Sequence, residues 1–182
     1  DVAGSAALEE CGAQDGTAVF DLTSVEGDIY SGPGTISWAL NPDQSGPIAD
    51  PANYTSPTNT VFAFATEDSC TSVPVPVSLT VIVSTPGADD SIEQCDDGTG
   101  STVFDLTAIE GGLIGGADSL IWYEDAMATT PIPDPGMVTS SGSTVYYTLF
   151  VQGCESPAAA VQLIPLPTPL VETDTLATCD EG

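Results

Sequence analysis

The chain repeats itself at a fixed interval. CGAQDGTAVFDLTSVEGD at 11–28 returns as CDDGTGSTVFDLTAIEGG at 95–112, and CDEG at 179–182 begins the phrase a third time. Cys11, Cys95 and Cys179 lie 84 residues apart each time, as do Cys70 and Cys154. In the same register Phe20-Asp21-Leu22-Thr23 meets Phe104-Asp105-Leu106-Thr107, Glu26-Gly27 meets Glu110-Gly111, and Trp38 meets Trp122. Pro47-Ile48 and Asp50-Pro51 likewise meet Pro131-Ile132 and Asp134-Pro135, and no gap is needed anywhere. Such self-similarity marks tandem copies of one folding unit. The expected boundaries are 1–86 for the first repeat, 87–170 for the second, and 171–182 for the first strand of a truncated third. Ending inside a repeated phrase, with no initiator Met or signal peptide, the chain is expected to be an internal piece of something longer.

Each copy reads as β structure. Val73, Val75, Val77, Leu79, Val81 and Val83 alternate with Pro, Ser, Thr and Ile, a period of two over one long strand, with prolines only at its start. TAVFDL (17–22), GTISWAL (34–40) and TVFAFATED (60–68) are further strands rich in β-branched and aromatic residues, separated by clusters of Gly, Pro, Asn, Asp and Ser. No segment carries a helical period; SVEGD and AIEGG are short and broken by glycine. Leu8, Ile92 and Leu176 recur at one position, so the later half of each linker (85–94 and 169–178) is expected to open the next module. Six or seven short strands per copy point to an all-β fold of tandem immunoglobulin-like β-sandwich modules with an 84-residue period. The expected core is Phe20, Leu22, Trp38, Val61, Val77 and Leu79, with Phe104, Leu106, Trp122, Val145, Val161 and Leu163 in the second copy. Both tryptophans are read as core rather than as ligand platforms.

Charge removes several function classes. The chain has 27 Asp and Glu and no Lys, Arg or His. With 41% apolar residues it has the material for a core, so the acids decorate a folded surface. No side-chain ion pair can form, and each carboxylate must be hydrated, hydrogen-bonded or met by a bound cation. Nothing here can displace counterions from phosphates, which excludes nucleic acid, or attract anionic headgroups. No apolar run approaches the ~20 residues of a membrane span, so this segment is expected to make no membrane insertion. A net charge of −27 favours solubility, and its self-repulsion weakens in a salty exterior.

Five cysteines without a CxxC pair or a His do not make a zinc site, and no cation is present to activate a thiol. They are read as disulfides, which places the chain in an oxidising exterior. Cys11–Cys70 and Cys95–Cys154 would each staple one small domain, leaving Cys179 to pair outside the chain. Cys70–Cys95 and Cys154–Cys179 would instead join modules. The first arrangement is preferred, because a domain this small gains from a staple worth about 4 kcal/mol in the chain-entropy model.

Asp89, Asp90, Glu93, Asp96 and Asp97 crowd the linker. Oxygen-only ligands suit calcium, which would stiffen the joint; a solvated acidic linker is the alternative, and no EF-hand spacing is present. No other cofactor is expected. Asp21 with Glu26, and Asp105 with Glu110, have the residue types of an acid–base pair, yet a strand-to-turn setting favours local backbone hydrogen bonds. Without a nucleophile–base pair or cofactor loop, the chain is not expected to be an enzyme, and no catalytic residue is assigned. Asn53-Tyr54-Thr55 fits an N-glycan sequon, which the second copy lacks.

Val103-Phe104-Asp105-Leu106-Thr107, Glu110-Gly111, Trp122, Pro131-Ile132, Thr144-Val145-Tyr146-Tyr147 and Gly153-Cys154-Glu155-Ser156 together carry a resemblance. The pattern resembles the tandem modules of giant secreted surface adhesins of gliding and predatory Bacteroidota, over essentially the whole chain. The resemblance implies an extracellular stalk repeat at the cell surface, assembled into adhesive filaments like those predators' grappling hooks. Such modules usually carry some Lys or Arg, and their absence here implies a marine or salty setting. It also implies O-glycosylation at Asp-Ser/Thr-aliphatic tripeptides, matched at Ser91, Ser119 and Thr175. The functional expectation is a structural stalk or filament repeat whose partners are neighbouring repeats or other copies of itself. The alternative is a module whose loops 41–59 and 125–143 bind a glycan or protein on a target surface.

Overall fold

A computed structural model describes residues 5–96 and 98–168 of the chain. In the first copy the strands are β1 (Ala6–Cys11), β2 (Thr17–Phe20), β3 (Thr35–Ala39), β4 (Tyr54–Pro57), β5 (Asn59–Glu67), β6 (Cys70–Thr71) and β7 (Val75–Ile82). The second copy has β8 (Asp90–Cys95), β9 (Thr102–Phe104), β10 (Ser119–Tyr123), β11 (Val138–Ser140), β12 (Thr144–Val151), β13 (Cys154–Glu155) and β14 (Ala159–Leu166).

One sheet of the first copy runs β1-β7-β5-β3, with β6 also on β5, and β2 pairs with β4 as a second sheet. The opening strand lies parallel to the closing one, Leu8 opposite Leu79, while β7, β5 and β3 are antiparallel in turn. This is the strand arrangement of an immunoglobulin-like sandwich. The second copy shows the same pairing of first strand on last, Ile92 opposite Leu163, in the sheet β10-β12-β14-β8, with β9 on β11. Leu8 and Ile92 therefore do lie in opening strands; Leu176 and the rest of 171–182 lie outside the described residues.

The period-two pattern becomes burial. Val75, Val77 and Leu79 face the core and Pro76 and Ser78 face out. Proline is tolerated at 76 because β1 begins to pair only at Val77, so one side of Pro76 carries no ladder bond. All six expected core residues of the first copy are buried, as are their six counterparts. Val25, Ile29, Ala63 and Val75 join the first cluster.

The expectation of no helix is corrected. Leu22–Val25 forms a 3₁₀ turn that runs into α1 (Glu26–Ile29), and Thr107–Leu113 forms α2. Leu22, Val25 and Ile29 are spaced to bury one face, and Asp21 caps the turn by accepting from the Thr23 amide. Tertiary packing and a cap thus form a short helix that sequence period could not register.

By its contacts the chain divides into two compact bodies. Among the described residues, one comprises 5–87 with Ile114–Ile121 and Thr148–Ala158; the other comprises the described part of Ala88–Leu113, Trp122–Tyr147 and 159–168. The packing of β7 sets a clear expectation. Leu79→Ala should destabilise the protein by about 2–5 kcal/mol in a urea melt, whereas Val19→Ala, on the exposed side of β2, should cost under ~0.5 kcal/mol.

Candidate functional site

The structure overturns the expected cysteine pairing. Cys11 is bonded to Cys154, with S–S 2.08 Å and Cα–Cα 5.3 Å, while Cys70 and Cys95 are unpaired and exposed. The bond therefore joins a residue of the first sequence copy to one of the second. Neither Cys11–Cys70 nor Cys95–Cys154 forms, and the register gives the reason. Cys11 lies opposite Ile82 at the far end of β7, whereas Cys70 lies on β6, just before β7 begins at Val75. The length of β7 separates them, about 23 Å at ~3.3 Å per residue. Disulfides need Cα atoms within ~7 Å. The second copy repeats the separation, with Cys95 opposite Leu166 and Cys154 ahead of Ala159. The alternative Cys70–Cys95 pair is absent too, and Cys179 lies outside the described residues.

Both hairpin cysteines are presented alike. Asp68 and Ser69 turn β5 into β6 with φ of 48° and 70°; Gln152 and Gly153 turn β12 into β13 with φ of 51° and 82°. Two consecutive positive-φ residues make the turn whose twist suits a tight hairpin. The serine two residues past each cysteine locks the strand that follows. Ser72 donates its amide to the Ala65 carbonyl and Ser156 to that of Leu149, at 2.9 and 2.8 Å. Each hydroxyl accepts in return, from the amide of Ala65 at 3.1 Å and of Leu149 at 2.9 Å. Close to the cystine, buried Ser84 donates its hydroxyl to the Leu149 carbonyl at 3.0 Å.

The paired carboxylates of the repeated phrase are structural. Asp21 accepts from the Thr23 amide and hydroxyl at 3.0 and 2.5 Å, and Asp105 treats Thr107 identically. Glu26 accepts from the Trp38 indole at 3.0 Å and Glu110 from that of Trp122 at 2.8 Å. A buried indole needs a partner for its N–H, and here the partner is the glutamate twelve residues upstream. Sequence reasoning missed this pair, although its signal was the recurrence of EG and W at one spacing in both copies.

At the linker the acids are engaged separately. Asp89 accepts from the Ala160 amide at 2.9 Å and Asp90 from the Ser91 amide at 2.8 Å. Asp96 accepts from the Gly98 amide and the Thr168 hydroxyl. Among the described residues, no three His, Cys, Asp or Glu come together as a metal-holding group. Asp97 lies outside those residues. Asp89 and Asp90 also act on Tyr147: burial first, then the two charges, raise its phenol above its usual range. Its hydroxyl donates to the Ala88 carbonyl at 2.8 Å, and its ring meets Trp122 with centroids 5.4 Å apart.

Ser91 and Ser119 are exposed on β8 and at the start of β10, and Asn53 is exposed on a 3₁₀ turn. Thr175 lies outside the described residues. Loop 125–143 helps form a groove of about 450 Å³ lined by Glu124, Ile132, Asp134 and Met137 among others. Met127 and Met137 are exposed on the same loop.

No protein-family model and no curated protein sequence matches the chain. Among solved structures it is similar to Sidekick-1 immunoglobulin domains 1–4 at 9% identity and TM-score 0.27, over 92% of this chain and 47% of that one. The chain thus spans about half the length of that structure. It is similar to the tandem Ig repeats of Dlar at 10% identity and TM-score 0.23, over 75% of this chain and 84% of that one. Human mucin-like protocadherin EC1-2 matches at 10% identity and TM-score 0.27, over 91% and 96%. At these TM-scores the fold rests on the strand order itself.

Three outcomes follow from this geometry. Cys154→Ser should lower stability by about 2–5 kcal/mol, because the bond closes a loop with a sequence separation of 143, while Cys70→Ser should leave the melt unchanged. Calcium at the acidic linker predicts a chelator-induced fall in Tm; an unchanged transition removes that ion. The Thr168 hydroxyl and the Gly98 amide hold Asp96 below the usual carboxylate range, and Thr17 and Ser45 do the same for Asp15 and Asp43. Folded values lower than unfolded ones give stability that is present above about pH 3.9 and is lost as pH falls through the folded values. In a carboxyl NMR titration these three aspartates should be among the last to protonate before acid unfolding, together with Asp125, where desolvation opposes but the Thr129 and Thr130 donors still hold the carboxyl low.

Proposed function

We propose that the chain is a structural stalk or filament repeat of a large extracellular surface adhesin, spacing or assembling an adhesive fibre. The observation that carries this reading is the Cys11–Cys154 bond, which links residues of two successive sequence copies. A tension applied to the ends of the segment passes through that bond and bypasses the backbone it encloses. Such a bypass suits a load-bearing part, and a disulfide suits an oxidising exterior. Among the described residues no helix is long and apolar enough to cross a membrane. The reading is non-enzymatic: the carboxylates that acid–base chemistry would use are spent on turns and indoles. Partners are neighbouring repeats, further copies of the module, and a glycan or protein on a target surface.

Loop-borne binding is the second reading, favoured by the groove beside Met137. Retention of the isolated chain on a glycan array would support it. The stalk reading is tested by force spectroscopy. Oxidised chains should extend only through residues outside the 143-residue loop, and reduction should release about 500 Å of further contour length, at ~3.3–3.6 Å per residue. Equal extension before and after reduction would remove the bypass and the reading with it.

A further inference from the structure

We propose that Cys70 and Cys95 are the two halves of a second link of the Cys11–Cys154 kind, through which another copy of this module is covalently attached, Cys95 of one chain to Cys70 of the next. The inference rests on the stalk reading for its purpose, and on geometry for its partners.

Each free cysteine occupies the place of a bonded one. Cys95 ends β8 beside Leu166 as Cys11 ends β1 beside Ile82, and the next amide donates to the neighbouring strand in both, Asp96 to Leu166 and Gly12 to Ile82 at 2.8 Å. Cys70 follows the same positive-φ turn as Cys154 and precedes the same serine lock. The hairpin of the second copy is occupied: Cys154 bonds Cys11, and the Leu149 carbonyl accepts from Ser84. Among the described residues, the first copy's hairpin cysteine is free and exposed. Ala65, which aligns with Leu149, and Cys70 line a groove of about 500 Å³ with Tyr30, Glu67 and Ser72. The occupant that fits is the one seen on the other hairpin, a strand end bearing a cysteine with the closing strand beside it. In this chain that element is Cys95, with Thr168 at the position that aligns with Ser84, its hydroxyl donated here to Asp96.

The contact is head-to-tail, so repetition generates an open array unless its rotation closes a ring. Bond formation removes one hydrogen from each thiol. A disulfide co-reactant, either a small-molecule disulfide or an oxidoreductase, takes up both electrons and both protons and leaves as two thiols, by way of a mixed disulfide. Chains of charge −27 repel one another, so assembly is favoured at high salt, where the screening length falls to ~3 Å at about 1 M.

The test uses the 182-residue chain carrying Cys179→Ser, in about 1 M NaCl with a glutathione redox buffer. Non-reducing gels should show a ladder at integer multiples of the chain mass that collapses on reduction. Adding Cys70→Ser or Cys95→Ser should abolish the ladder in each case, and mixing these two variants should restore a single dimer band. Glu-C peptides of that dimer should contain Cys95 joined to Cys70. A mixture that stays monomeric, or single variants that dimerise as fully as the mixture, overturns the proposal. An intact Cys11–Cys154 peptide in the same map would then leave the stalk reading standing, whereas its absence would remove both.

Discussion

The parallel ladder between Ala6–Cys11 and Val77–Ile82 decides where the sulfurs of the first copy can go. It lays the opening strand along the closing one, so the cysteine at its end is carried a full strand length from the hairpin cysteine of its own copy. A disulfide tolerates only a narrow Cα separation, and a rigid ladder does not bend to supply it. The bond that forms must therefore reach a hairpin of another copy, and Cys154 is the one in place. A small domain usually spends its cystine on its own core; here the hydrophobic cluster around Trp38 and Leu79 does without one.

A chain with no cations must also keep its many carboxylates occupied. Several of them meet neutral donors. Asp15, Asp21, Asp43 and Asp105 each accept from a backbone amide and a hydroxyl two residues on, a motif that rigidifies turns without any opposite charge. Glu26 and Glu110 reach inward to the indoles, and Asp89 ties the start of β14. Such bonds are insensitive to salt in a way that ion pairs are not, since the donors are dipoles rather than charges. Salt then acts mainly on the long-range repulsion of the surface, which it weakens.

Much of this was legible beforehand, and the failures have particular causes. Alternation at Val75, Val77 and Leu79 announced a strand with one buried face, and burial follows it. Trp38 and Trp122 were expected inside and are inside. The helical turn at 22–29 was missed because about two turns of helix are stabilised by packing and a cap rather than by propensity. The Trp–Glu bonds were missed because a turn and a strand had to be folded together before residues twelve apart could meet. The cystine pairing was misjudged on the premise that a small domain spends its cysteines on stapling itself. Sequence distance carries no information about which end of a strand a residue occupies.

By itself, the order of residues determined that one sequence pattern recurs at a fixed interval, that strands predominate, that certain side chains are internal, and that no cation is available. These are local or periodic properties, written in alternation, spacing and residue type. Only the tertiary structure decided that first and last strands pair in parallel, that Cys11 meets Cys154 while Cys70 and Cys95 remain open, and that the acids of the repeated phrase serve turns and indoles. Those outcomes depend on register and on strand ends brought together across long stretches of chain. No local pattern encodes that, because it arises only when the sheets close on their core.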